Sequence, residues 1–337
     1  MTTLFRIPVP IPALPVPITH QNTILMLGSC FSENIGNALQ LLRFKVCSNP
    51  TGILYNPFSI ASALDRIISG TPYTRDDLFQ HQGYWHSFDH HSRFSAPSSQ
   101  QALDAINASL LEAHRQIQHT DICILTAGTS YTFTEITSGR IVANCHKMPQ
   151  QHFSRRCVTS QETYLELKNL FIRVIQQFPA MRFILTISPV RHYPTDPRAN
   201  QLSKSNLISA LYQLENEFQN VYYFPSFEIM MDELRDYRFY TADMAHPSET
   251  AIQYIRERFL ECCVAERSRK FIEQYTVINQ SRNHLLSPTA SAESQKQFAS
   301  SLLQKITRIS KEFPDIDISD DEHYFRKLST DAGTCLS

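Results

Sequence analysis

Five short apolar runs, separated by segments with a helical spacing of apolar residues, constrain most strongly how this 337-residue chain can fold. The predicted strands are residues 23–27, 44–47, 121–126, 182–187 and 221–224. The predicted helices are residues 32–42, 57–68, 99–118, 161–178 and 201–218. This alternation favours a mostly parallel five-stranded sheet covered on both faces, which is a three-layer α/β/α sandwich. Ligands of such sheets bind outside the carboxyl ends of the strands.

The turn after the first predicted strand carries two adjacent nucleophilic side chains, Ser29 and Cys30, directly after Gly28. A hydroxyl or thiol there lies close to the free backbone N–H groups of a helix start, which can stabilise an oxyanion. The same N–H groups can lower the pKa of a thiol. Glycine-containing turns are also common in α/β proteins without a catalytic role, so the segment alone leaves both interpretations open.

A second candidate element is the pair Asp243 and His246, three residues apart on a loop before a predicted helix. A carboxylate at this spacing can orient the imidazole, and the imidazole can then take the proton of a nucleophile. The alternative interpretation is that both residues only cap the helix that begins near Pro247.

Together these segments resemble the GSCFA domain family, a branch of the SGNH (GDSL-like) hydrolase superfamily. The resemblance covers about residues 5–260 and rests on the blocks at 27–36, 144–147 and 188–192 and on the segment 232–240, which leads into Asp243 and His246. It implies an SGNH-hydrolase or flavodoxin-like fold and a hydrolase or acyltransferase for an ester or acyl group, with O-acetyl esters of carbohydrate as one option. The alternative is a binding or assembly protein that keeps this fold without turnover.

The same resemblance implies roles for residues at the strand ends. Cys30 aligns with the nucleophilic serine of the superfamily, whereas a shift of one residue would give that role to Ser29. Gly52 matches the second-block glycine, whose N–H faces the oxyanion. Gly128 and Thr129 occupy the third block, which lacks the asparagine of the superfamily pattern. Oxyanion stabilisation is therefore expected from Gly52, Gly128 and the N–H groups of the first turn.

Two further loops carry candidates for the missing amide donor or for substrate contacts. Asn144 and His146 lie at the end of a predicted β-hairpin over residues 131–147. Arg191 and His192 follow the fourth predicted strand. Since the carboxyl ends of parallel strands lie at one edge of the sheet, we expect these side chains and the glycines above to surround one cleft.

A cluster of histidines beside Tyr84 and Trp85 requires a separate interpretation. Its members are His81, His86, His90 and His91. Their spacing matches no standard zinc pattern, and neither cysteines nor a dense set of carboxylates accompany them. We therefore predict a substrate-lining aromatic loop or plain surface, with no metal and no cofactor.

Composition and charge limit the partners and the compartment. The formal net charge of −1 gives no reason to expect nucleic acid, and no apolar run is long enough to span a bilayer. The first 20 residues contain five prolines and lack a basic start, unlike a signal peptide. The eight cysteines form no CxxC pair. We expect a cytoplasmic enzyme whose partner is a small-molecule or carbohydrate ester, without nucleic acid or membrane.

Composition shifts along the chain predict three regions. An extended Pro-rich arm covers residues 1–21, the catalytic domain covers 22–265, and a helical, partly disordered extension covers 266–337. Within the extension, residues 279–294 read as a linker and 298–313 as a helix, and the acidic stretch 315–322 leads into a polar tail.

Overall fold

The computed structural model describes residues 7–192, 196–283 and 292–331 and divides into two compact units. Among the described residues, the first unit comprises 7–14, 23–37 and 46–262. The second comprises 15–22, 38–45 and the chain from 263 onward.

A five-stranded parallel sheet is the framework of the first unit. The strands of the chain are β1 (Thr23–Gly28), β2 (Lys45–Ser48), β3 (Phe79–His81), β4 (Tyr84–His86), β5 (Ile122–Ala127), β6 (Tyr131–Glu135), β7 (Ile141–Val142), β8 (Phe153–Cys157), β9 (Arg182–Ile187) and β10 (Val221–Phe224). The parallel sheet has the spatial order β10-β9-β5-β1-β2. All five predicted strands are confirmed, with boundaries that differ by no more than one residue.

Helices follow the strands as the sequence pattern predicts. They are α1 (Cys30–Leu41), α2 (Pro57–Ser69), α3 (Ser99–Ile117), α4 (Ser160–Gln177), α5 (Pro197–Glu217), α6 (Ser226–Glu228), α7 (Glu249–Cys263), α8 (Glu266–Asn283), α9 (Ala292–Glu312) and α10 (Ser319–Asp331). A π-helical turn, Ile229–Glu233, continues α6. The five predicted helices are found as α1 to α5.

Side chains alternate between the two faces of the sheet along each strand, and both faces are buried. On one face, Leu25 and Leu125 belong to a buried cluster that includes apolar residues of α2, α3, α4 and α5. On the other face, Met26 lies in a small apolar void with Phe31 of α1 and Phe259 of α7. The strands are therefore apolar on both faces, which explains their continuous runs in the sequence.

Two small antiparallel sheets complete the first unit. The predicted hairpin is confirmed as β6 pairing with β7, and Gly139 has the positive φ of 69° that its turn requires. Strand β8, which the sequence did not predict, pairs with the other edge of β6. The hairpin β3–β4 was also missed, because each of its strands has only three residues.

The second unit is helical and has its own apolar cluster. Its buried residues include Phe271, Ile278, Ile306 and Phe325. The predicted linker over 279–294 is wrong at both ends, because α8 continues to Asn283 and α9 begins at Ala292; residues 284–291 lie outside the described chain. The acidic stretch that was expected to lead into a tail instead starts α10, where three acidic side chains occupy the first turn. The polar tail from residue 332 onward, and any disorder there, also lie outside the described residues.

The described part of the predicted N-terminal arm forms backbone and side-chain hydrogen bonds within each of the two units. In the first unit, the backbone N–H of Val9 donates to Glu233 Oε1 at 2.7 Å. In the second unit, Ile18 pairs with Val264, and His20 Nε2 bonds to Leu42 O at 3.0 Å.

Candidate active site

Glycine is required at the end of β1, because the two strands there approach each other closely. Gly28 has φ = 143°, and a Cβ atom at this position would lie 2.2 Å from the carbonyl oxygen of Thr126 on β5. The N–H of Gly28 donates to Asn49 Oδ1 at 2.8 Å. Gly28 therefore shapes the turn, and its N–H is already bonded within the fold; its role as a contact for substrate or oxyanion stays a prediction.

Ser29 is the residue immediately before α1 and is completely buried. Its hydroxyl accepts a hydrogen bond from the N–H of Phe31 at 3.3 Å, and its own N–H donates to Thr126 O at 3.2 Å. This is the position and bonding of a helix N-cap, in which the side chain satisfies one of the free N–H groups of the first turn.

Cys30 is the first residue of α1 and, unlike Ser29, is partly exposed. Burial of the thiol raises its pKa, even though the backbone N–H groups of Phe31 and of Cys30 itself favour the thiolate. The sequence-based expectation of a lowered thiol pKa is therefore wrong, because desolvation outweighs the helix N-terminus here. A base or a nearby cation is needed to generate the thiolate.

Lys204 is a buried lysine at the ends of the strands that the sequence analysis missed. It lies on α5, is fully buried, and donates from Nζ to Gly128 O and to Ser188 O, each at 2.7 Å. Burial lowers the pKa of this ammonium to about 7, while the charge of Cys30 raises it. The position was detectable, because Lys204 lies three residues before Leu207 on the buried stripe of the helix.

Asp243 and His246 form the hydrogen-bonded pair that their spacing predicts. His246 Nδ1 lies 2.6 Å from Asp243 Oδ2, and both side chains are about half exposed. The backbone N–H of His246, the Thr241 hydroxyl and the N–H of Ala245 hold the pKa of the Asp243 carboxyl well below its usual value. The carboxylate thus accepts the Nδ1 proton, which leaves Nε2 as the basic nitrogen.

Asp243 and His246 do not cap helix α7, which was the alternative interpretation of this pair. The side chain of Ser248, not of Asp243, accepts from an N–H in the first turn of α7, that of Ala251 at 3.3 Å. The loop of Asp243 is instead tied to the segment after β9, where the N–H of Arg191 donates to Ala245 O at 2.9 Å. Within the described residues, no hydrogen bond joins His246 to Cys30.

The amides expected to bind an oxyanion already have partners within the fold. The N–H of Gly52 donates to Asn49 O at 2.8 Å. The N–H groups of Gly128 and Thr129 both donate to Tyr55 O, at 2.7 and 3.0 Å. All three N–H groups are therefore bonded within the fold, and their predicted role as oxyanion donors, which would require these hydrogen bonds to break, stays a prediction.

His192 provides an unsatisfied polar atom beside this turn. Its Nε2 is buried and has no hydrogen-bond partner in the described structure. A Cβ atom on Gly128 would lie 2.6 Å from this nitrogen, so the imidazole lies directly over Gly128, with its ring edge-on to Tyr55. Burial lowers the pKa of His192 to about 3, so the ring is neutral at neutral pH. Arg191 lines a different surface pocket, with Tyr240 among its neighbours.

The two polar residues of the hairpin end have different environments. Asn144 lines a cleft together with Tyr131 and Phe133, and its Oδ1 accepts from the N–H of His146 at 2.8 Å. His146 is buried, and its Nε2 bonds to the carbonyl of Ser87 at 2.8 Å. Burial lowers the pKa of His146 to about 4. Because Nε2 must donate to that carbonyl, the neutral ring of His146 has no second N–H to offer an oxyanion in this conformation.

The cleft beside these residues has a volume of about 470 Å³ and largely apolar walls. Its lining includes Tyr55, His91, Thr129, Tyr131, Phe133, Asn144, Cys145, Met148, Phe153 and His192. None of the lining residues is an aspartate, glutamate, lysine or arginine. Cys145 is the one cysteine among these lining residues, which include neither Cys30 nor His246. Burial raises the pKa of Cys145 to about 11, so its thiol is not a thiolate at neutral pH. The cleft is suited to an uncharged, partly apolar group.

Two other histidines of the cluster, His86 and His90, form hydrogen bonds with nearby residues in and after the β3–β4 hairpin. His86 bonds to the Ser95 hydroxyl and to the carbonyl of His81, at 2.6 and 3.2 Å. His90 is buried against the Ser87 hydroxyl, and burial lowers its pKa to about 3. A search of the described residues finds no group of three or more side chains arranged to hold a metal ion.

The structure is that of an α/β protein with a parallel five-stranded sheet. Cys30 follows β1, and the hydrogen-bonded pair Asp243–His246 lies on a loop bonded to the segment after β9. The chain belongs to the GSCFA family, whose model matches residues 23–259.

Further comparisons add little to this assignment. One solved structure from Streptococcus pneumonia, described as a "putative platelet activating factor", is similar at 14% identity and a TM-score of 0.39, over 71% of this chain and 83% of that one. A comparison with curated proteins finds no match. None of the described helices has the length and apolar character needed to cross a bilayer.

Proposed function

We propose that this protein is a hydrolase or acyltransferase of the SGNH type that acts on an ester or acyl group through Cys30. His246 is the general base and Asp243 orients it. The observation that carries the proposal is the 2.6 Å hydrogen bond between His246 Nδ1 and Asp243 Oδ2, in a loop held by backbone hydrogen bonds. A carboxylate fixed in this way selects the tautomer in which Nε2 accepts a proton.

The burial of the two candidate nucleophiles favours Cys30 over Ser29. Ser29 is fully buried and its hydroxyl accepts from the first turn of α1, whereas Cys30 is partly exposed. Since a nucleophile must reach the substrate carbonyl carbon, the capping serine is the poorer candidate. No hydrogen bond joins Cys30 to His246 in the structure, so the proposal requires a movement on substrate binding that brings the thiol and the imidazole together; catalytic hydrogen bonds are often long in a free enzyme.

The reaction then proceeds in two balanced steps. In the first, Cys30 Sγ attacks the carbonyl carbon and its proton passes to His246 Nε2. Collapse of the tetrahedral intermediate breaks the bond to the leaving alcohol, which takes the proton from His246 and leaves a thioester on Cys30. In the second, His246 accepts a proton from water, or from an acceptor alcohol, whose oxygen attacks the thioester. The thiol leaves with that proton, and the acid or the new ester is released.

The oxyanion of both intermediates needs donors other than Gly52 and Gly128. The N–H of Cys30, at the start of α1, is one candidate. The neutral imidazole of His192 is the second, because its buried Nε2 has no partner and lies over Gly128. The amide of Asn144, which lines the cleft, is the third. These donors would replace the asparagine that the third block lacks.

The cleft favours an uncharged substrate group. Aromatic side chains such as Tyr131 and Phe133 form apolar walls, and the lining contains no ionised carboxylate or cation. An acetyl or longer acyl ester of a neutral carbohydrate fits this description, because sugar faces and acyl chains both pack on aromatic rings.

The occupied amides support one competing function. Because the N–H groups of Gly52 and Gly128 are bonded within the fold, a binding or assembly protein without turnover is the second candidate. Such a protein would use the same cleft to hold a ligand, without a reactive cysteine.

Hydrolysis of a simple acyl ester distinguishes the two functions. We expect that Cys30→Ala, His246→Gln and Asp243→Asn each lower kcat by about 10²-fold or more without loss of the fold. The matched controls are Cys145→Ala, for the thiol that lines the cleft, and His119→Gln, for an exposed histidine outside it. Wild-type protein that binds ligand but shows no turnover, and no labelling of Cys30 by iodoacetamide, would support the binding function instead.

A further inference from the structure

A second pocket, with a volume of about 270 Å³, lies beside the loop of the general base, and the proposed reaction makes no use of it. Its lining consists of Arg191, Met230, Met231, Leu234, Arg235, Asp236, Tyr237 and Tyr240. It shares no lining residue with the larger cleft, although His192 of the cleft and Arg191 of this pocket are consecutive. The small volume and the mixed apolar and polar lining suit one ring-sized group.

Backbone contacts fix this pocket next to His246. The N–H of Arg191 donates to the carbonyl of Ala245 at 2.9 Å. Tyr240 pairs with Pro247 as an antiparallel β-bridge. Ala245 and Pro247 are the two neighbours of His246 in the chain, so two residues that line the pocket are bonded to the loop on either side of the general base. A group bound there is therefore adjacent to the place where an ester would react.

Arg191 carries the uncompensated charge of this pocket. Arg235 forms a salt bridge with Asp232 at 2.5 Å. Asp236 accepts from the backbone N–H of Arg238 at 2.9 Å, and its other carboxylate oxygen lies 3.8 Å from the Nε atom of Arg238. Within the described part of the chain, no hydrogen bond or salt bridge engages the half-buried guanidinium of Arg191. Such a guanidinium offers a planar set of N–H donors that matches a carboxylate.

Two tyrosine rings give the pocket its second recognition feature. Tyr237 is 72% exposed, and its ring centroid lies 6.3 Å from that of Tyr240, with an angle of 47° between the rings. Aromatic rings of this kind pack against the C–H faces of a sugar, and their hydroxyls can bond to its hydroxyls. A phosphate is less suitable than a carboxylate, because its second negative charge would lie near Asp236 without a second free cation.

We propose that the pocket lined by Arg191, Tyr237 and Tyr240 binds a carboxylate-bearing sugar ring, such as a hexuronate. The guanidinium of Arg191 binds the carboxylate, and the tyrosine rings pack against the sugar. The binding itself does not depend on turnover, but its part as a substrate subsite rests on the proposed function. Together the two cavities would accommodate an acylated oligosaccharide, in which an acidic sugar neighbours the sugar whose uncharged acyl group enters the cleft.

Titration of the full chain with three sugars tests the chemistry of this pocket. The probes are glucuronate, glucose and glucose 6-phosphate, and binding is followed by NMR of isotope-labelled tyrosine side chains. We expect glucuronate to bind about tenfold or more tightly than glucose, since hydrogen bonds to a charged group contribute at least this factor. Glucose 6-phosphate should bind more weakly than glucuronate. No binding of glucuronate, or an equal affinity for glucose, overturns the proposal; tighter binding of glucose 6-phosphate overturns the assignment of a carboxylate.

Substitution of Arg191 tests which residue binds the carboxylate. Arg191→Gln should weaken glucuronate binding by about tenfold or more, because the charge and the paired donors are lost. Arg191→Lys should keep part of the affinity, since it keeps the charge without the planar donor set. Arg173→Gln, at an exposed arginine paired with Asp65, is the matched control and should bind glucuronate like the wild type. An unchanged affinity in folded Arg191→Gln overturns the proposal.

A variant at the exposed tyrosine covers the case in which Arg191→Gln does not fold. Tyr237→Ala removes no core contact and should weaken glucuronate binding by about threefold or more. Tyr212→Ala, at a tyrosine that is 66% exposed, is its control and should have no effect. An unchanged affinity in Tyr237→Ala overturns the proposed contact with the sugar ring. None of these measurements uses turnover, so glucuronate binding that depends on Arg191, in a protein that hydrolyses no ester, would refute the proposed function and leave this binding site established.

Discussion

Replacing Ser29 by alanine tests whether this hydroxyl caps helix α1 or attacks the substrate. In the structure, the hydroxyl accepts from the N–H of Phe31 at 3.3 Å, and the residue is completely buried. The substitution removes this partner and leaves the Phe31 N–H without an acceptor in a water-poor site. Loss of an N-cap costs about 1 kcal/mol, and a buried unpaired donor costs about 1–3 kcal/mol. We therefore expect Ser29→Ala to lower the free energy of unfolding by roughly 1–3 kcal/mol.

The assay combines thermal unfolding with ester hydrolysis. For a cooperative unit of roughly 150–250 residues, 1 kcal/mol corresponds to about 2–4 °C, so Tm should fall by at least about 2 °C. kcat at a temperature well below the transition should remain within a factor of about three of the wild type, which is less than 1 kcal/mol of barrier.

A second serine cap provides the matched control. Ser98 precedes α3 and accepts from the N–H of Gln101 at 3.2 Å, but it is exposed. Ser98→Ala should therefore cost less stability than Ser29→Ala, about 0.5–1 kcal/mol, because water can replace the lost acceptor. If Ser29→Ala abolishes hydrolysis while its Tm equals that of the wild type, the capping interpretation is refuted and Ser29 becomes the nucleophile.

Two further predictions concern the histidines around the cleft. Gly128→Ala should displace the His192 ring, since the new Cβ atom would lie 2.6 Å from Nε2, and kcat should fall by up to about 10²-fold. In a double-mutant cycle with His192→Ala, the two losses of kcat should not add, because both substitutions disturb the same imidazole. Full additivity would contradict this role of His192. The pKa of His146 is about 4 in the folded protein and about 6.5 when unfolded, so the unfolded state takes up the proton first and stability falls as pH drops from about 6.5 to 4. His146→Asn, which tolerates the φ of 47° there, should lessen this loss between pH 7 and pH 5 in urea unfolding, by up to about 1.4 kcal/mol per pH unit. An acid-side slope equal to that of the wild type would show that His146 is not one of the groups responsible.

The local parts of the candidate site could be predicted because they depend on neighbours in the sequence. Asp243 and His246 are three residues apart, and one loop suffices to bring the carboxylate to the imidazole. The place of Ser29 and Cys30 between a strand and a helix follows in the same way from the change of apolar period at that point. Which of these two neighbours is buried does not follow, because it depends on β5 packing against the turn.

Helix α10 and the end of α8 show where local composition misleads. Polar and acidic residues near 279–283 and 319–322 suggested a linker and a tail, yet both segments are helical. The helices that contain these segments bury apolar residues beside them, among them Ile278 of α8 and Phe325 of α10, in the cluster of the second unit. Packing of a small apolar face stabilises these helices although their residues have a weak intrinsic preference for the helix. Composition alone does not contain this packing term.

The sequence by itself determined the parallel sheet, since buried strands alternating with amphipathic helices allow few other arrangements. It also determined which residues lie at the carboxyl ends of the strands. Only the tertiary structure decided the chemistry available there. The carbonyl of Tyr55 accepts hydrogen bonds from the N–H groups of Gly128 and Thr129. Lys204, which is 76 positions further along the chain, donates to the carbonyl of Gly128. These contacts join residues far apart in sequence, and a hydrogen bond depends on distances of a few tenths of an ångström that no local pattern encodes.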